Sequence, residues 1–82
     1  MNEPSARQAL HDALATIVPR SEVEAMDPTA DMRDELDLDS MDLLNVTARL
    51  EEACGVTIPD RELAGLTTVD KTVTWLVAHT GG

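Results

Sequence analysis

At 82 residues the chain buries only a modest share of its unfolded surface, so its core is small and a deep enzyme active site does not fit. Sixteen Asp and Glu against six Lys and Arg give a formal charge of −10, which repels nucleic-acid phosphates and anionic lipid headgroups and calls for basic partners. Trp75 is the one aromatic of the Phe, Tyr and Trp set and Cys54 the one cysteine, so the core must be aliphatic and no internal disulfide or multi-cysteine zinc site can form.

The acids are not spread evenly. Residues 27 to 62 hold eleven acids and three bases, so most of the charge sits there. No stretch is apolar enough to cross a bilayer, and the N-terminus, with Glu3 and Pro4, lacks a basic region followed by an apolar run. A monomeric, cytoplasmic protein with no nucleic-acid or membrane partner is expected. The organisation expected is a single domain over 1–82, with flexible ends at about 1–4 and 80–82.

In chain order, Ala6, Leu10, Ala13, Leu14 and Ile17 recur at three- and four-residue steps, which predicts a first amphipathic helix from Ser5 to Val18, closed by Pro19. Ser21 and Glu24 have capping-box spacing and predict at most a short turn before Pro28. From Pro19 to Asp39 runs about twenty residues, longer than an unstructured connection usually is. A long loop is expected there, tied down by Met26, Met32, Leu36 and Leu38.

A second helix is predicted from Asp39, a good N-cap with Asp42 at the third helical position, to the stop at Gly55. Leu43, Val46, Thr47, Leu50 and Cys54 form a stripe for the core, and Met41, Leu44 and Ala48 a second stripe turned to the side. Val56 and Ile58 form an extended link, and Pro59 and Asp60 open a brief, mobile segment with Leu63 and Leu66, weakened by Gly65. Thr67 or Thr68 caps a last helix carrying Val69, Val73, Leu76 and Val77, and Gly81 and Gly82 fray its end. The fold class is therefore all-α: a small bundle of three main helices and one short one, with a long loop between the first two and no strand.

Within this frame the stretch DELDLDSMDLL, residues 34 to 44, places Ser40 in the first turn of a helix between Asp39 and Asp42. With the helix ending in Leu50-Glu51-Glu52, then Gly55-Val56-Thr57-Ile58-Pro59-Asp60, then Leu66-Thr67-Thr68-Val69, the chain resembles the acyl carrier proteins over roughly residues 6 to 78. The resemblance implies that a separate phosphopantetheinyl transferase, using magnesium, moves 4'-phosphopantetheine from coenzyme A onto the Ser40 hydroxyl. The arm's thiol would then hold acyl intermediates as thioesters in fatty acid, polyketide or another specialised biosynthesis. It also implies partner binding through Asp39, Met41, Asp42, Leu44, Ala48, Glu51, Glu52, Asp60 and Glu62, which would meet basic patches on acyl-loading, condensing and tailoring enzymes. Asn45, where many members carry an acid, and Arg49 dilute this face and point to a dedicated set of partners. A start at Met1 and an end just past the last helix lead one to expect a free-standing carrier.

The helix N-terminus itself suits such an attachment, because free N–H groups and the dipole favour a phosphodiester's negative charge. No residue of the chain is placed to activate Ser40: His11 and His79 lie in the first and last helices as surface residues, and no strand leads into a glycine-flanked serine. No enzyme and no metal site is expected. A calcium loop starting at Asp27 fails, with Met32 at the glycine position and Leu38 at the glutamate. Cys54 and Trp75 are expected to pack structurally, and Gly81-Gly82 lacks the sheet that a ubiquitin-like carrier would need. The alternative function is an acidic helical interaction module with no prosthetic group.

Overall fold

Capping and apolar spacing produce six helical segments in the computed structural model, which describes residues 1–80: α1 (Glu3–Leu14), α2 (Arg20–Ala25), α3 (Met32–Leu36), α4 (Ser40–Cys54), α5 (Asp60–Leu63) and α6 (Val69–His79). The three long helices form the bundle, with α1 packed on both α4 and α6. Leu10 and Leu14 from α1, Val46 and Leu50 from α4, and Val69, Val73 and Leu76 from α6 make the centre of an aliphatic core. Among the described residues no helix is long and apolar enough to cross a membrane.

The first helix differs from expectation at both ends. It starts two residues earlier, because the Asn2 side chain accepts from the Ser5 N–H at 2.9 Å and Pro4 sits where a first turn tolerates it. Glu3 and Pro4 are helical, and Met1 packs against the core. It stops at Leu14 and not Val18, where the Ala13 carbonyl accepts both the Thr16 N–H at 3.3 Å and the Thr16 hydroxyl at 2.7 Å and tightens the chain into a turn.

The long connection is largely helical. Ser21 does not cap α2: the carbonyl of Pro19 accepts from the N–H groups of Glu22 and Val23, so the turn begins at Arg20, one residue ahead of the expected cap. Asp31 caps α3 by accepting from Arg33 and Asp34, and Asp37 ends it in the left-handed region at φ 52°. Met26, Met32, Leu36 and Leu38 are buried as expected, and Val23 joins them. Backbone bonds pin the segment as well: Met32 N–H donates to Thr67 O at 2.9 Å, Asp70 N–H donates to Pro28 O at 3.1 Å, and Asp31 and Thr68 form one antiparallel bridge.

Thr68, one of the two expected caps, accepts from Lys71 N–H at 3.1 Å and opens α6. Two exposed ion pairs, Arg7–Asp70 at 3.3 Å and Arg20–Asp12 at 2.9 Å, tie α1 to α6 and to α2, contributing little stability each. The expected fraying at Gly81 and Gly82 lies outside the described residues.

Candidate functional site

The start of α4 is fixed from both sides. Leu38 is buried and its N–H donates to Arg33 O at 3.0 Å, which sets the path into the helix. Asp39 is extended, its Oδ1 accepts from Asp42 N–H at 2.8 Å, and Asp42 Oδ2 accepts in return from Asp39 N–H at 3.2 Å. This is a capping box closed by two aspartates in place of the usual serine and glutamate. Ser40 is therefore the first residue of a fifteen-residue helix whose entry is doubly locked.

Ser40 is exposed, and among the described residues its hydroxyl makes no hydrogen bond. The box satisfies two of the four N–H groups that a helix start leaves open, and those of Ser40 and Met41 have no acceptor among the described residues. Two free donors, a favourable dipole and an unencumbered hydroxyl fit a phosphodiester. His11 sits in the middle of α1 and His79 ends α6; neither is hydrogen-bonded to Ser40.

On the outer side of α4, Met41 is 66% exposed and Leu44 57%, the exposed large hydrophobics among the described residues. Ala48 is exposed beside them, Asp42 is half-buried, and Asp60 and Glu62 stand in the first turn of α5. Glu51 and Glu52 do not face the same way. Glu52 turns toward α1 and lines a groove there with Thr16, whereas Glu51 points the other way and is half-buried. Glu51 Oε2 accepts from Ile58 N–H at 2.8 Å, so this carboxylate is engaged in holding the link between α4 and α5. Its structural task was not visible in the sequence, where it reads as one more acid beside Glu52.

A cavity of about 290 Å³ lies next to this face, lined by Met32 and Arg33 of α3, Leu43 of α4, Asp60 and Leu63 of α5, and Leu66 and Thr67 beyond it. Cys54 is half-buried against the core and burial pushes its thiol up, which suits an inert packing residue. Trp75 is buried, and its ring stacks on the exposed His79 ring at 3.9 Å with 9° between the planes. His11, expected at the surface, is half-buried, and its pKa is lowered by burial first and then by the Arg7 guanidinium.

A capped helix start that presents a free serine within an all-helical bundle is the arrangement of a carrier domain, and comparison with known proteins agrees. The profile of the family described as the phosphopantetheine attachment site matches residues 8–76. The acyl carrier protein of Rubrobacter xylanophilus is 44% identical over 52 residues, 63% of this chain and 64% of that protein. The meromycolate extension acyl carrier protein of Mycobacterium leprae is 41% identical over 49 residues, 60% of this chain and 43% of that protein. That of Mycolicibacterium aurum is 32% identical over 77 residues, 88% of this chain and 77% of its own length. The first two matches thus span 64% and 43% of the relatives' lengths, less than two thirds in each case. The chain belongs to the acyl carrier protein family, and its prosthetic group is 4'-phosphopantetheine.

Proposed function

We propose that this chain is a non-catalytic carrier in fatty acid or specialised lipid biosynthesis, with Ser40 as the attachment point of the prosthetic group. The observation that carries the residue assignment is the locked start of α4, where an exposed, unbonded hydroxyl lies beside two unused N–H groups. Bound there, the group supplies a terminal thiol on a flexible arm that holds acyl groups as thioesters. The chain's own part is to hold the attachment oxygen at a rigid helix end, to offer positive dipole to the phosphodiester, and to present a surface that enzymes read.

Among the described residues no base is hydrogen-bonded to Ser40, so a phosphopantetheinyl transferase must supply that chemistry, with coenzyme A as donor and magnesium on the pyrophosphate. Docking falls to Met41, Leu44 and Ala48 as an apolar strip, flanked by Asp39, Asp42 and Glu52 on α4 and by Asp60 and Glu62 on α5. Basic patches on loading, condensing and tailoring enzymes complement such a face. Glu51 contributes through one remaining carboxylate oxygen at most. The cavity beside Leu43 and Leu63 is where a short acyl chain would be shielded, and slower cleavage of a loaded thioester by hydroxylamine than of the same acyl group on free coenzyme A would support that role.

The attachment is tested by incubating the purified chain with coenzyme A, magnesium and a broad-specificity transferase, then weighing the intact protein. The wild type should gain one phosphopantetheinyl group, Ser40→Ala none, and Ser5→Ala and Ser21→Ala one each. A full gain on Ser40→Ala would remove Ser40 from the proposal.

A further inference from the structure

Between α1 and α4, on the side of α4 away from α5, runs an open groove of about 740 Å³ floored by Ala9, Ala13 and Ala53. It continues past Thr16 into a second depression of about 410 Å³ that reaches Asn45 and Ala48. Ala48 belongs to the apolar strip proposed for docking, so the groove is the lateral extension of that face. Arg49 and Glu52 line both parts.

Arg49 is the one cation among the residues lining this groove, and among the described residues it forms no ion pair. Glu52 stands at i+3, a spacing that permits pairing, yet no ion pair forms between them. Across the groove Asp12 is the other acid in the lining, but it is already taken: its Oδ1 accepts from Gln8 Nε2 at 2.8 Å and from Arg20 at 2.9 Å. Those two donors hold the Asp12 carboxyl below the usual carboxylate range. The fold thus neutralises the one acid facing Arg49 with a different arginine. Asn45, one turn back on α4, adds an uncharged donor and acceptor beside the guanidinium.

On the carrier reading of this face, we infer that Arg49 is a specificity contact of inverted sign: the cognate biosynthetic enzyme places an acidic side chain against Arg49 in the α1–α4 groove, beside the basic residues that meet Asp42 and Glu52. A guanidinium with free N–H forks at a groove wall favours a carboxylate in bidentate geometry. An enzyme with a uniformly basic patch would meet Arg49 as a like charge, which is the repulsive element that excludes wrong partners.

The two kinds of partner differ in the sign of one measurement. The acyl-loaded chain is titrated as substrate against the condensing enzyme from the same genome that has the lowest KM for it. Arg49→Glu should raise KM about tenfold or more, Arg49→Gln about threefold, and Arg49→Lys less than about threefold, with kcat little changed and the differences shrinking in high salt. Lys71→Glu on α6 makes the same change in net charge away from the groove and should leave KM within about twofold. A KM for Arg49→Glu that is unchanged or lower overturns the inference, as does an equal rise for Lys71→Glu. Circular dichroism of each variant checks folding, and Arg49→Gln keeps the question answerable if Arg49→Glu is destabilised. Intact mass after transferase treatment separates the two levels: failure of the wild type to load defeats the carrier reading and this inference with it, while full loading with the wrong sign at Arg49 defeats the inference alone.

Discussion

Replacing Glu51 by alanine should cost the protein more stability than any other change to the acids of α4. The Glu51 carboxylate accepts from the N–H of Ile58, a residue only 5% exposed, at 2.8 Å across seven residues of chain. Removing it leaves a buried donor without a partner, and a hydrogen bond to a charged group contributes about 1.5–3 kcal/mol. Alanine is the better helix former, so helix propensity does not add to the loss. Taking about 2 kcal/mol, and about 4–8 °C per kcal/mol for a domain of this size, Glu51→Ala should melt about 8–16 °C below the wild type by far-UV circular dichroism. Glu51→Gln keeps an acceptor oxygen and should lose about half as much. A Glu51→Ala midpoint within about 2 °C of wild type, or a glutamine variant as unstable as the alanine one, would refute the reasoning. The same pair sorts structure from docking: if Glu51→Gln leaves the enzyme's KM unchanged while Glu51→Ala raises it, Glu51 acts by holding the link to α5 and not by its charge.

The two internal glycines should respond with opposite signs to the same substitution. Gly55 caps α4 at φ +66°, so Gly55→Ala should cost about 1–2 kcal/mol although nothing stands within 4 Å of an added Cβ, and Gly55→Asn should cost less. Gly65 has no left-handed φ and an added Cβ would meet only Glu62 O at 3.5 Å, so Gly65→Ala should stabilise by about 0.4–1 kcal/mol; denaturant midpoints of the same sign for both would contradict this account. For His11, burial, then Arg7, with Arg20 in the same direction and Glu24 and Asp12 opposed, hold the native pKa below the ordinary 6.5. The unfolded chain therefore takes its proton first as pH falls, and the stability this histidine contributes above about 6.5 is lost as pH drops toward and through its native value. Between pH 7.5 and 5.5 the melting midpoint of the wild type should drop relative to that of His11→Gln, and an NMR titration placing His11 above 6.5 would overturn the sign.

Local signals carried the start and end of α4 into the sequence. Asp39, Asp42 and Gly55 each act within three or four residues of themselves, so capping chemistry is legible wherever it occurs. The segment between α1 and α4 was legible only as a set of apolar anchors. Its helices are six and five residues long, too short to show a period, and α3 is held by bonds whose partners, Thr67 and Thr68, lie more than thirty residues further on. Val23 was missed as an anchor for the same reason: a lone valine flanked by glutamates carries no periodic signal. The end of α1 was overrun because Ile17 and Val18 continue its apolar pattern while packing on the core from a turn.

The division between what could and could not be read follows the function. The proposed attachment at Ser40 rests on a helix start, which is local, and on the resemblance of the segments on either side, so it can be named before any coordinates are known. Partner choice depends on which charges remain available after folding, and that is a tertiary property. In sequence, nothing marks Asp12 and Arg20 as a pair or tells the task of Glu51 from that of Glu52. Folding pairs Asp12 with Arg20, turns Glu51 inward to Ile58, and leaves Arg49 and Glu52 together on the groove. On the proposed docking face, the surface beyond the apolar strip is therefore a mixed one, with the Arg49 cation at a fixed distance along α4 from Ser40. Any enzyme that reaches the serine by way of the groove must accommodate that cation, whether or not it recognises the serine itself.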